Sequence, residues 1–336
     1  MSKNIAIIGD GGWGTALGLT LLRKGHKVCL WGPFSDTIER IRASGENKDY
    51  LPGVRLPAEL KWTADRARVV EQAEAVVLAM PTKYFRAVLE SFSGLIPASI
   101  PVISVAKGLD GEECRRMTEV AETILKAGPV AALSGPSFAS EVAGGAPTAV
   151  VAACRDRALA AYFQDVFNTQ RFRVYTSEDV VGVELGGTLK NVIAVGVGVS
   201  DGLGLGHNAR AALVTRGLAE ITRLGVAMGA CPETFAGLSG MGDLVLTCTS
   251  RLSRNYTVGE RMGKGEKIGD ILAGMKQVAE GVENSAAATA LAKRLGVPAP
   301  IAAEVHALVH QGKAPRDAVE SLLGRDPRPE RDEPGY

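Results

Sequence analysis

The chain has 336 residues, and its 38 Lys and Arg against 37 Asp and Glu give a formal net charge of +1. A chain this close to neutral lacks the global positive field of nucleic-acid-binding and bilayer-binding proteins, so neither partner is expected. With 22% charged and 46% apolar residues, it is typical of a folded protein and unlike a disordered one. At about 150 residues per domain, the length favours two domains.

The first half of the chain alternates apolar runs with helical patterns, which is typical of parallel βαβ units. The run at 4–9 is continuously apolar, as in a strand buried on both faces. These patterns predict a doubly wound, Rossmann-like α/β domain over residues 1–177. Its predicted strands are 4–9, 27–31, 75–80, 101–106, 130–133, 148–153 and 172–175, with the first helices at 15–24 and 35–43.

After residue 177 long helical patterns predict an all-helical domain over 178–324. They cover 179–199, 208–228, 232–238, 256–264, 268–275, 283–295, 300–311 and 314–323. Residues 325–336 are charged and proline-rich, which predicts a disordered tail.

The longest apolar run near the middle, 192–199, is far shorter than the roughly twenty residues of a membrane span, so no stable membrane insertion is expected. Five scattered cysteines without a Cys-x-x-Cys pair argue against a disulfide framework and favour a reducing cytoplasm. The four histidines show no metal-ligand spacing, so no metal site is expected.

Gly9, Gly11 and Gly14 form a G-x-G-x-x-G motif between the first predicted strand and the first predicted helix. In this context the glycines let the backbone approach a pyrophosphate at the helix N-terminus, although a purely structural turn is the alternative. An acidic residue at the end of the second strand would hold the ribose of NAD. None occurs before Asp36, and no Arg for a 2′-phosphate is adjacent, so the motif predicts NAD or NADP without choosing between them.

Other polar and aromatic residues follow predicted strands at the carboxyl edge of the sheet, where ligands of such sheets bind. Tyr84 and Phe85 either lie against the cofactor or pack against the next helix. Lys107 is a site lysine or a solvated surface charge. Gly135 and Ser137 offer backbone N–H groups and a hydroxyl in a tight turn, which could hold a polar substrate.

Lys190 is the most informative single residue, because it lies in a stretch, 184–195, that is apolar nearly all round. Such helices are buried, and burial lowers the pKa of a lysine towards the range useful for a general acid or base. The alternatives are a lysine that extends to solvent or one that pairs with Glu184. Asn191 can reach the same cleft.

Two further polar clusters follow. Asp243 presents a carboxylate on a glycine-bounded turn, and ten residues later Ser253, Arg254 and Asn255 could grip a phosphate by charge-assisted hydrogen bonds. A surface loop that begins a helix is the alternative for the second cluster. Cys248 is interpreted as a small buried apolar residue.

Taken in order, these motifs resemble the bacterial NAD(P)-dependent glycerol-3-phosphate dehydrogenases. The matching segments are 9–16, 106–109, 133–141, 182–194, 208–217, 240–248 and 253–255, and the likeness covers about residues 4–324. The resemblance implies an enzyme that reduces dihydroxyacetone phosphate to sn-glycerol 3-phosphate for phospholipid synthesis, in a cytoplasmic homodimer.

The resemblance also implies a role for individual residues. Lys190 would be the proton donor and acceptor. The substrate would be lined by Lys107, Gly135, Ser137, Lys190, Asp243, Ser253, Arg254 and Asn255. The cofactor would be contacted by Gly9, Gly11, Gly12, Trp13, Gly14, Pro33, Lys107, Ala139, Arg254, Val278 and Glu280.

Two positions depart from the family pattern. Asp10 stands where the family usually has alanine, which brings a negative charge near the pyrophosphate. Pro33 and Phe34 stand where a basic or imidazole side chain often follows the second strand. Two other functions stay open: a two-domain dehydrogenase of a hydroxy acid, which needs a carboxylate pocket in place of the 253–255 cluster, and a dinucleotide-sensing protein without turnover, which would tolerate loss of Lys190.

Overall fold

An eight-stranded sheet organises the first half of the chain in the computed structural model, which describes residues 1–111, 113–126, 128–275, 278–327 and 329–330. Its strands are β1 (Asn4–Ile8), β2 (Lys27–Trp31), β3 (Lys61–Thr63), β4 (Ala75–Leu78), β5 (Val102–Ser104), β8 (Ala131–Ser134), β9 (Thr148–Ala153) and β10 (Phe172–Ser177). A separate hairpin consists of β6 (Leu109–Asp110) and β7 (Arg115–Arg116).

The strand order across the sheet is β10-β9-β8-β5-β4-β1-β2-β3. Six strands, β3-β2-β1-β4-β5-β8, run parallel in the order of doubly wound dinucleotide-binding sheets. Strand β9 pairs antiparallel with β8, and β10 is parallel to β9. The expectation of parallel units is therefore wrong at the β8–β9 pairing and right for the other pairs of this sheet. The order reverses at β1, between β2 and β4, and this switch point opens a crevice at the carboxyl ends of the strands.

Helices cover both faces of the sheet. They are α1 (Gly12–Arg23), α2 (Ser35–Ser44), α3 (Arg66–Val70), α4 (Thr82–Glu90), α5 (Met117–Leu125), α6 (Ala139–Ala143) and α7 (Arg157–Phe167). Alternate residues of β1 enter two separate cores, with Ile5 and Ile7 on one face and Ala6 and Ile8 on the other. The prediction of a strand buried on both faces at 4–9 is thus confirmed.

The second half of the chain is helical. Its elements are α8 (Val180–Gly202), α9 (Gly206–Ala227), α10 (Pro232–Phe235), a π-helical turn (Leu238–Gly242), α11 (Asp243–Thr249), α12 (Arg254–Gly263), α13 (Ile268–Ala273), α14 (Glu280–Leu295), α15 (Pro300–His310) and α16 (Pro315–Leu323). The fold class is confirmed, as a parallel-dominated sheet domain followed by helices. The boundaries at 177/178 and 324/325 stay predictions, and residues 328 and 331–336 of the predicted tail lie outside the described residues.

Helix α8 is the centre of the helical half. Almost all of its residues are buried, and its apolar side chains contribute to a third core with α9, α12, α14 and α15. By length and composition α8 could cross a membrane, but 89% of its most apolar window is buried within the protein. Its charged residues are Glu184, Lys190 and Asp201. Because the rest of the helix packs against protein, each of these charges needs a partner inside the fold.

Glycines bring α8 and α12 into backbone contact. A Cβ added to Gly198 would collide with the carbonyl oxygen of Tyr256, and one added to Gly259 would collide with the carbonyl oxygen of Val195. Larger residues at these positions would push the two helices apart. This packing holds the first turn of α12 close to the middle of α8.

Replacing Gly259 therefore tests the packing. We expect Gly259→Ala to lower the free energy of unfolding by about 1–3 kcal/mol, because the added methyl overpacks the interface. Gly269→Ala on α13 is the matched control, since nothing lies within 4 Å of a Cβ there. It should be neutral or stabilising by up to about 1 kcal/mol, because alanine favours the helix. Urea denaturation compares the two variants, and equal stabilities would contradict the close helix contact.

Candidate active site

Two lysines and one aspartate form a charged cluster where the carboxyl edge of the sheet meets the helical half. Asp243 accepts hydrogen bonds from Lys190 Nζ at 2.5 Å through Oδ1 and from Lys107 Nζ at 2.6 Å through Oδ2. The side chains are 1% exposed for Asp243, 8% for Lys190 and 17% for Lys107. One buried carboxylate thus holds two ammonium groups side by side.

Three separate elements supply this cluster. Lys107 lies in the loop after β5, Lys190 lies in the middle of α8, and Asp243 is the first residue of α11. The sequence had placed Asp243 on a glycine-bounded turn, which was only partly right. The glycines form the π-helical turn at Leu238–Gly242, and this turn runs directly into α11. Helical geometry, and not a flexible loop, therefore fixes the direction of the carboxylate.

Burial controls the protonation of Lys190. Desolvation lowers its pKa to about 8, with the charge of Lys107 acting in the same direction and Asp243 opposing both. A lysine in this range exchanges a proton near neutral pH, as a general acid or base requires. Neither alternative from the sequence holds, since Lys190 does not extend to solvent and Glu184 instead binds Arg116 and Thr118.

Thr247 completes the environment of Lys190, and sequence reasoning missed it. Its hydroxyl accepts a hydrogen bond from Lys190 Nζ at 2.6 Å and donates to the carbonyl oxygen of Asp243 at 2.6 Å. The spacing of four residues from Asp243 was a usable signal, because such residues share one face of a helix. Cys248 is buried beside the cluster, and desolvation raises its pKa to about 12, so it is an inert thiol.

A chain of amide contacts connects α8, α12 and α14. Asn255 donates to the side-chain oxygen of Asn191 at 2.9 Å and accepts from the backbone N–H of Gly281 at 2.8 Å. A Cβ on Gly281 would collide with the carbonyl oxygen of Asn191, so the three helices meet closely here. Asn255, which the sequence assigned to phosphate binding, is thus buried and also serves to position this corner of the site.

Arg254 is the exposed cation beside this corner. It is the first residue of α12, follows the N-cap Ser253, and donates no hydrogen bond to another described residue. Ser253 is buried, and its hydroxyl oxygen accepts from the N–H of Tyr256, which leaves the hydroxyl proton available to a ligand. Burial raises the pKa of Glu280, while the charges of Arg254 and Lys107 oppose the shift, which places this carboxyl close to both cations.

The turn after β8 closes the other side of the cluster. Gly135 has φ +144°, a conformation that favours glycine, and its carbonyl oxygen accepts from Lys107 Nζ at 3.4 Å. Ser137 donates to the same carbonyl oxygen at 3.0 Å. Ser134, which the sequence did not single out, has a buried hydroxyl without a hydrogen-bond partner among the described residues. The Ser134 hydroxyl is 2.4 Å from the point where a Cβ on Gly187 would be, and Cδ of Lys107 is 3.5 Å from the same point.

The glycine motif fits a dinucleotide pyrophosphate. Gly9 has φ +128°, and a Cβ there would lie 2.6 Å from the carbonyl oxygen of Ala79. Gly14 packs against Gly9 in the same way, which brings α1 onto β1. The glycines form the N-cap and first turn of α1, three residues earlier than predicted, and no side chain caps this end. The exposed N–H groups are thus available to an anion.

Gly11 differs from its neighbours in one respect. A Cβ on Gly12 would lie 2.5 Å from the carbonyl oxygen of Tyr50, whereas nothing lies within 4 Å of a Cβ on Gly11. The backbone of Gly11, with φ −68°, also suits any residue. Neither the fold nor the backbone therefore requires glycine here, and open space for a ligand is the remaining physical reason.

The other predicted cofactor residues lie on several elements. Ala139 begins α6, with its Cβ 3.8 Å from that of an alanine built at Gly12, and Trp13 packs partly into the adjoining core. Pro33 is exposed just after β2, and Val278 lies just before α14. Of the two aromatic residues after β4, Phe85 is fully buried in the core and Tyr84 is 50% exposed, so Phe85 packs structurally.

Gly11 allows a direct test of the dinucleotide site. We expect Gly11→Val to abolish binding of NADH and NADPH, because its side chain would fill the space next to the first turn of α1. Thermal unfolding should stay near that of the wild type, since the side chain meets no protein atom at its Cβ. Fluorescence titration with each dinucleotide measures the effect. Unchanged affinity in a folded variant would refute the assignment.

Comparisons with known proteins agree with this geometry. Residues 4–160 match the family described as NAD-dependent glycerol-3-phosphate dehydrogenase N-terminus, and residues 179–320 match the corresponding C-terminus. A glycerol-3-phosphate dehydrogenase [NAD(P)+] of Geobacter sulfurreducens is 49% identical over 98% of this chain and 100% of its own length. One from Syntrophotalea carbinolica is 48% identical, with 98% and 100% covered.

Solved structures lead to the same family. The crystal structure of a glycerol-3-phosphate dehydrogenase from Coxiella burnetii is 41% identical, with a TM-score of 0.93 over 96% of this chain and 99% of that one. Both halves of the fold, and the order of the motifs around the crevice, are accounted for by this likeness. The chain belongs to the family of NAD(P)-dependent glycerol-3-phosphate dehydrogenases.

Proposed function

We propose that this protein interconverts dihydroxyacetone phosphate and sn-glycerol 3-phosphate with NAD(H) or NADP(H). The observation that carries the proposal is the buried Lys107–Asp243–Lys190 cluster, which faces a dinucleotide crevice and has the exposed cation Arg254 near it. Membership of the family supports the reaction and the phosphorylated substrate. In the direction of reduction, the product is a precursor for glycerophospholipid synthesis.

Lys190 is the proton donor and acceptor in this proposal. As an ammonium it donates a hydrogen bond to the substrate carbonyl oxygen and delivers its proton as negative charge develops there. In the reverse direction its amine removes the hydroxyl proton. Asp243 and Thr247 hold Nζ in one position, at 2.5 and 2.6 Å, so little reorganisation is needed during the transfer.

Lys107 keeps the cluster positively charged. With two ammonium groups on one carboxylate, the local charge balance favours an anionic substrate and a developing alkoxide. Arg254 binds the phosphate through its guanidinium, assisted by the Ser253 hydroxyl and the Asn255 amide. The turn carrying Gly135 and Ser137 lines the side of the substrate opposite α12.

The first turn of α1 would hold the dinucleotide. Gly9, Gly11, Gly12, Trp13 and Gly14 would hold its pyrophosphate, and Pro33, Ala139, Val278 and Glu280 would contact other parts of the cofactor. When bound, the nicotinamide supplies or accepts the hydride exchanged with carbon 2 of the substrate. Lys190 would hold the oxygen on that carbon, and the burial of Lys190 and Asp243 keeps water out of the cluster.

The setting of the enzyme is part of the proposal. We place it in a reducing cytoplasm, which fits the free thiols of Cys29, Cys154 and Cys248. The absence of stable membrane insertion is supported by the burial of α8 inside the protein. A homodimer is proposed from the family resemblance. The small substrate is the partner of the site, and nucleic acid is not expected at a net charge of +1.

The two alternatives are less well supported. A hydroxy-acid dehydrogenase requires a carboxylate pocket, whereas the chain belongs to a family named for a phosphate ester. A sensor without turnover would not need an amine whose pKa is lowered to about 8 and which is held next to the crevice. The phosphate-ester dehydrogenase accounts for both observations.

Lys190→Met tests the acid–base role. We expect turnover to fall by about 10²–10⁴-fold, because proton transfer to the oxygen is lost. NADH affinity should be kept, since Asp243 retains Lys107 as a partner and the fold survives. Lys264→Met is the control, because this exposed lysine just after α12 pairs with Glu260. Turnover of Lys190→Met near the wild-type rate would exclude the role.

The pH dependence of the wild-type rates tests the same acid–base role of Lys190. Reduction needs the protonated lysine, so kcat/KM for dihydroxyacetone phosphate should be level at low pH and fall as pH rises through about 8. Oxidation of glycerol 3-phosphate needs the amine and should rise over the same range. Lys190→Met should lose both inflections.

Arg254→Ala tests the phosphate site. We expect KM for dihydroxyacetone phosphate to rise by about 10- to 100-fold, because a charge-assisted hydrogen bond to the phosphate is removed. Activity on unphosphorylated dihydroxyacetone should hardly change. Arg251→Ala is the matched control, since this neighbouring arginine is exposed and pairs with Glu260. If both substrates lose activity equally, Arg254 is not the phosphate anchor.

A further inference from the structure

A carboxylate lies at the end of β2, although the sequence has no acidic residue there. Oδ2 of Asp10 is 2.5 Å from the point where a Cβ on Gly32 would be, and Cγ and Cβ of Asp10 are 2.7 and 2.8 Å from it. Gly32 directly follows β2, at the position where dinucleotide-binding sheets carry the acid that holds the adenosine ribose. Asp10 from the glycine loop therefore fills the space of the missing side chain.

The loop that carries Asp10 is held firmly. Asn47, which is 1% exposed, donates to the carbonyl oxygen of Asp10 at 2.7 Å and to the hydroxyl of Thr15 at 3.0 Å. These bonds tie the segment after α2 to the first turn of α1. The backbone of Asp10 is thus anchored, and its side chain lies beside the end of β2.

The Asp10 carboxylate has no cationic partner. It forms no ion pair with any Lys or Arg in the described part of the chain. Burial raises its pKa, as expected for a charge that has lost water without gaining a cation. Hydroxyl groups of a ligand that donate to it would replace the lost water.

The surroundings are unfavourable for an additional anion. Residues 32–37 contain no Lys or Arg. The first arginine of α2, Arg40, is already engaged by Asp36 at 2.8 Å and by Asp49 at 3.8 Å. A 2′-phosphate adds a charge of about −1.5 to −2, which would face the Asp10 carboxylate with no Lys or Arg of residues 32–37 to neutralise it.

We propose that Asp10 accepts hydrogen bonds from the adenosine ribose hydroxyls and thereby makes this protein select NAD(H) over NADP(H). Selection has an attractive part, the bonds to the two hydroxyls, and a repulsive part, the carboxylate against the 2′-phosphate. The inference rests on the proposed function only in requiring that the crevice holds a dinucleotide. Asp10 acts on the adenosine half, away from the Lys190 chemistry.

Binding measurements on the intact protein test this without substrate. The probes are NADH and NADPH, together with ADP-ribose and its 2′-phosphate, titrated against the wild type, Asp10→Ala and Asp10→Asn. The wild type should bind NADH about tenfold or more tightly than NADPH. Asp10→Ala should lose about tenfold or more in NADH affinity. Asp10→Asn should chiefly gain NADPH affinity, because it keeps the shape and removes the charge.

Asp36→Asn tests the rival assignment, in which Asp36 and not Asp10 binds the adenosine ribose. Asp36 is the first acidic residue after β2 in the chain, but its carboxylate is exposed and bound to Arg40. We expect this variant to keep the wild-type ratio of NADH to NADPH affinities. A ratio that changes in Asp36→Asn and not in the Asp10 variants would overturn the inference, as would an equal preference in the wild type.

Turnover assays separate this inference from the proposed function. If the Asp10 variants change the affinity ratio but the wild type does not reduce dihydroxyacetone phosphate, the proposed function fails and the inference stands. If the wild type reduces dihydroxyacetone phosphate but the Asp10 variants keep the wild-type ratio of NADH to NADPH affinities, only the inference fails. If the wild type binds none of the four probes, both are overturned.

Discussion

One carboxylate shared by two lysines joins the halves of this protein. Asp243 is 1% exposed, and a charge this deeply buried is stable only with opposite charges at hydrogen-bond distance. Lys107 comes from the loop after β5 and Lys190 from α8, so two ion pairs to one carboxylate connect the sheet, the central helix and α11. Losing either lysine leaves the other as a partner of Asp243, so the carboxylate keeps one opposite charge in each case.

Close backbone packing brings the rest of the site to this cluster. Glycines on α8 and α12 let the helices touch, and Gly281 brings the start of α14 against Asn191. As a result, the first turns of α11, α12 and α14 surround the middle of α8. On the other side of the crevice, glycines after β1 let α1 approach the sheet. Small residues therefore set the distances, and a few charged side chains supply the chemistry.

The sequence predicted the structure best in two cases: where a pattern is visible in a short window, and where a charged residue lies in an apolar stretch. The apolar run at 4–9, the glycine motif and the long apolar pattern at 179–199 predicted elements that the structure contains, because strand and helix periodicity are visible in short windows. Lys190 stood out as a charge in an apolar helix, and burial follows from that setting. The start of α1 and the π-helical turn before Asp243 were misjudged, since glycine-rich segments carry little periodicity.

The sequence by itself thus determined three features. They are the sheet domain followed by helices, the glycine loop after β1, and Lys190 as a buried charge that needs a partner. Only the tertiary structure decided the partners. Glu184 lies closer to Lys190 along the chain, yet it binds Arg116, while Asp243, 53 residues away, binds Lys190. Asp10 likewise reaches the end of β2 because two strands lie side by side. Contacts between distant segments depend on how elements pack and which way side chains point, and one-dimensional spacing does not contain that information.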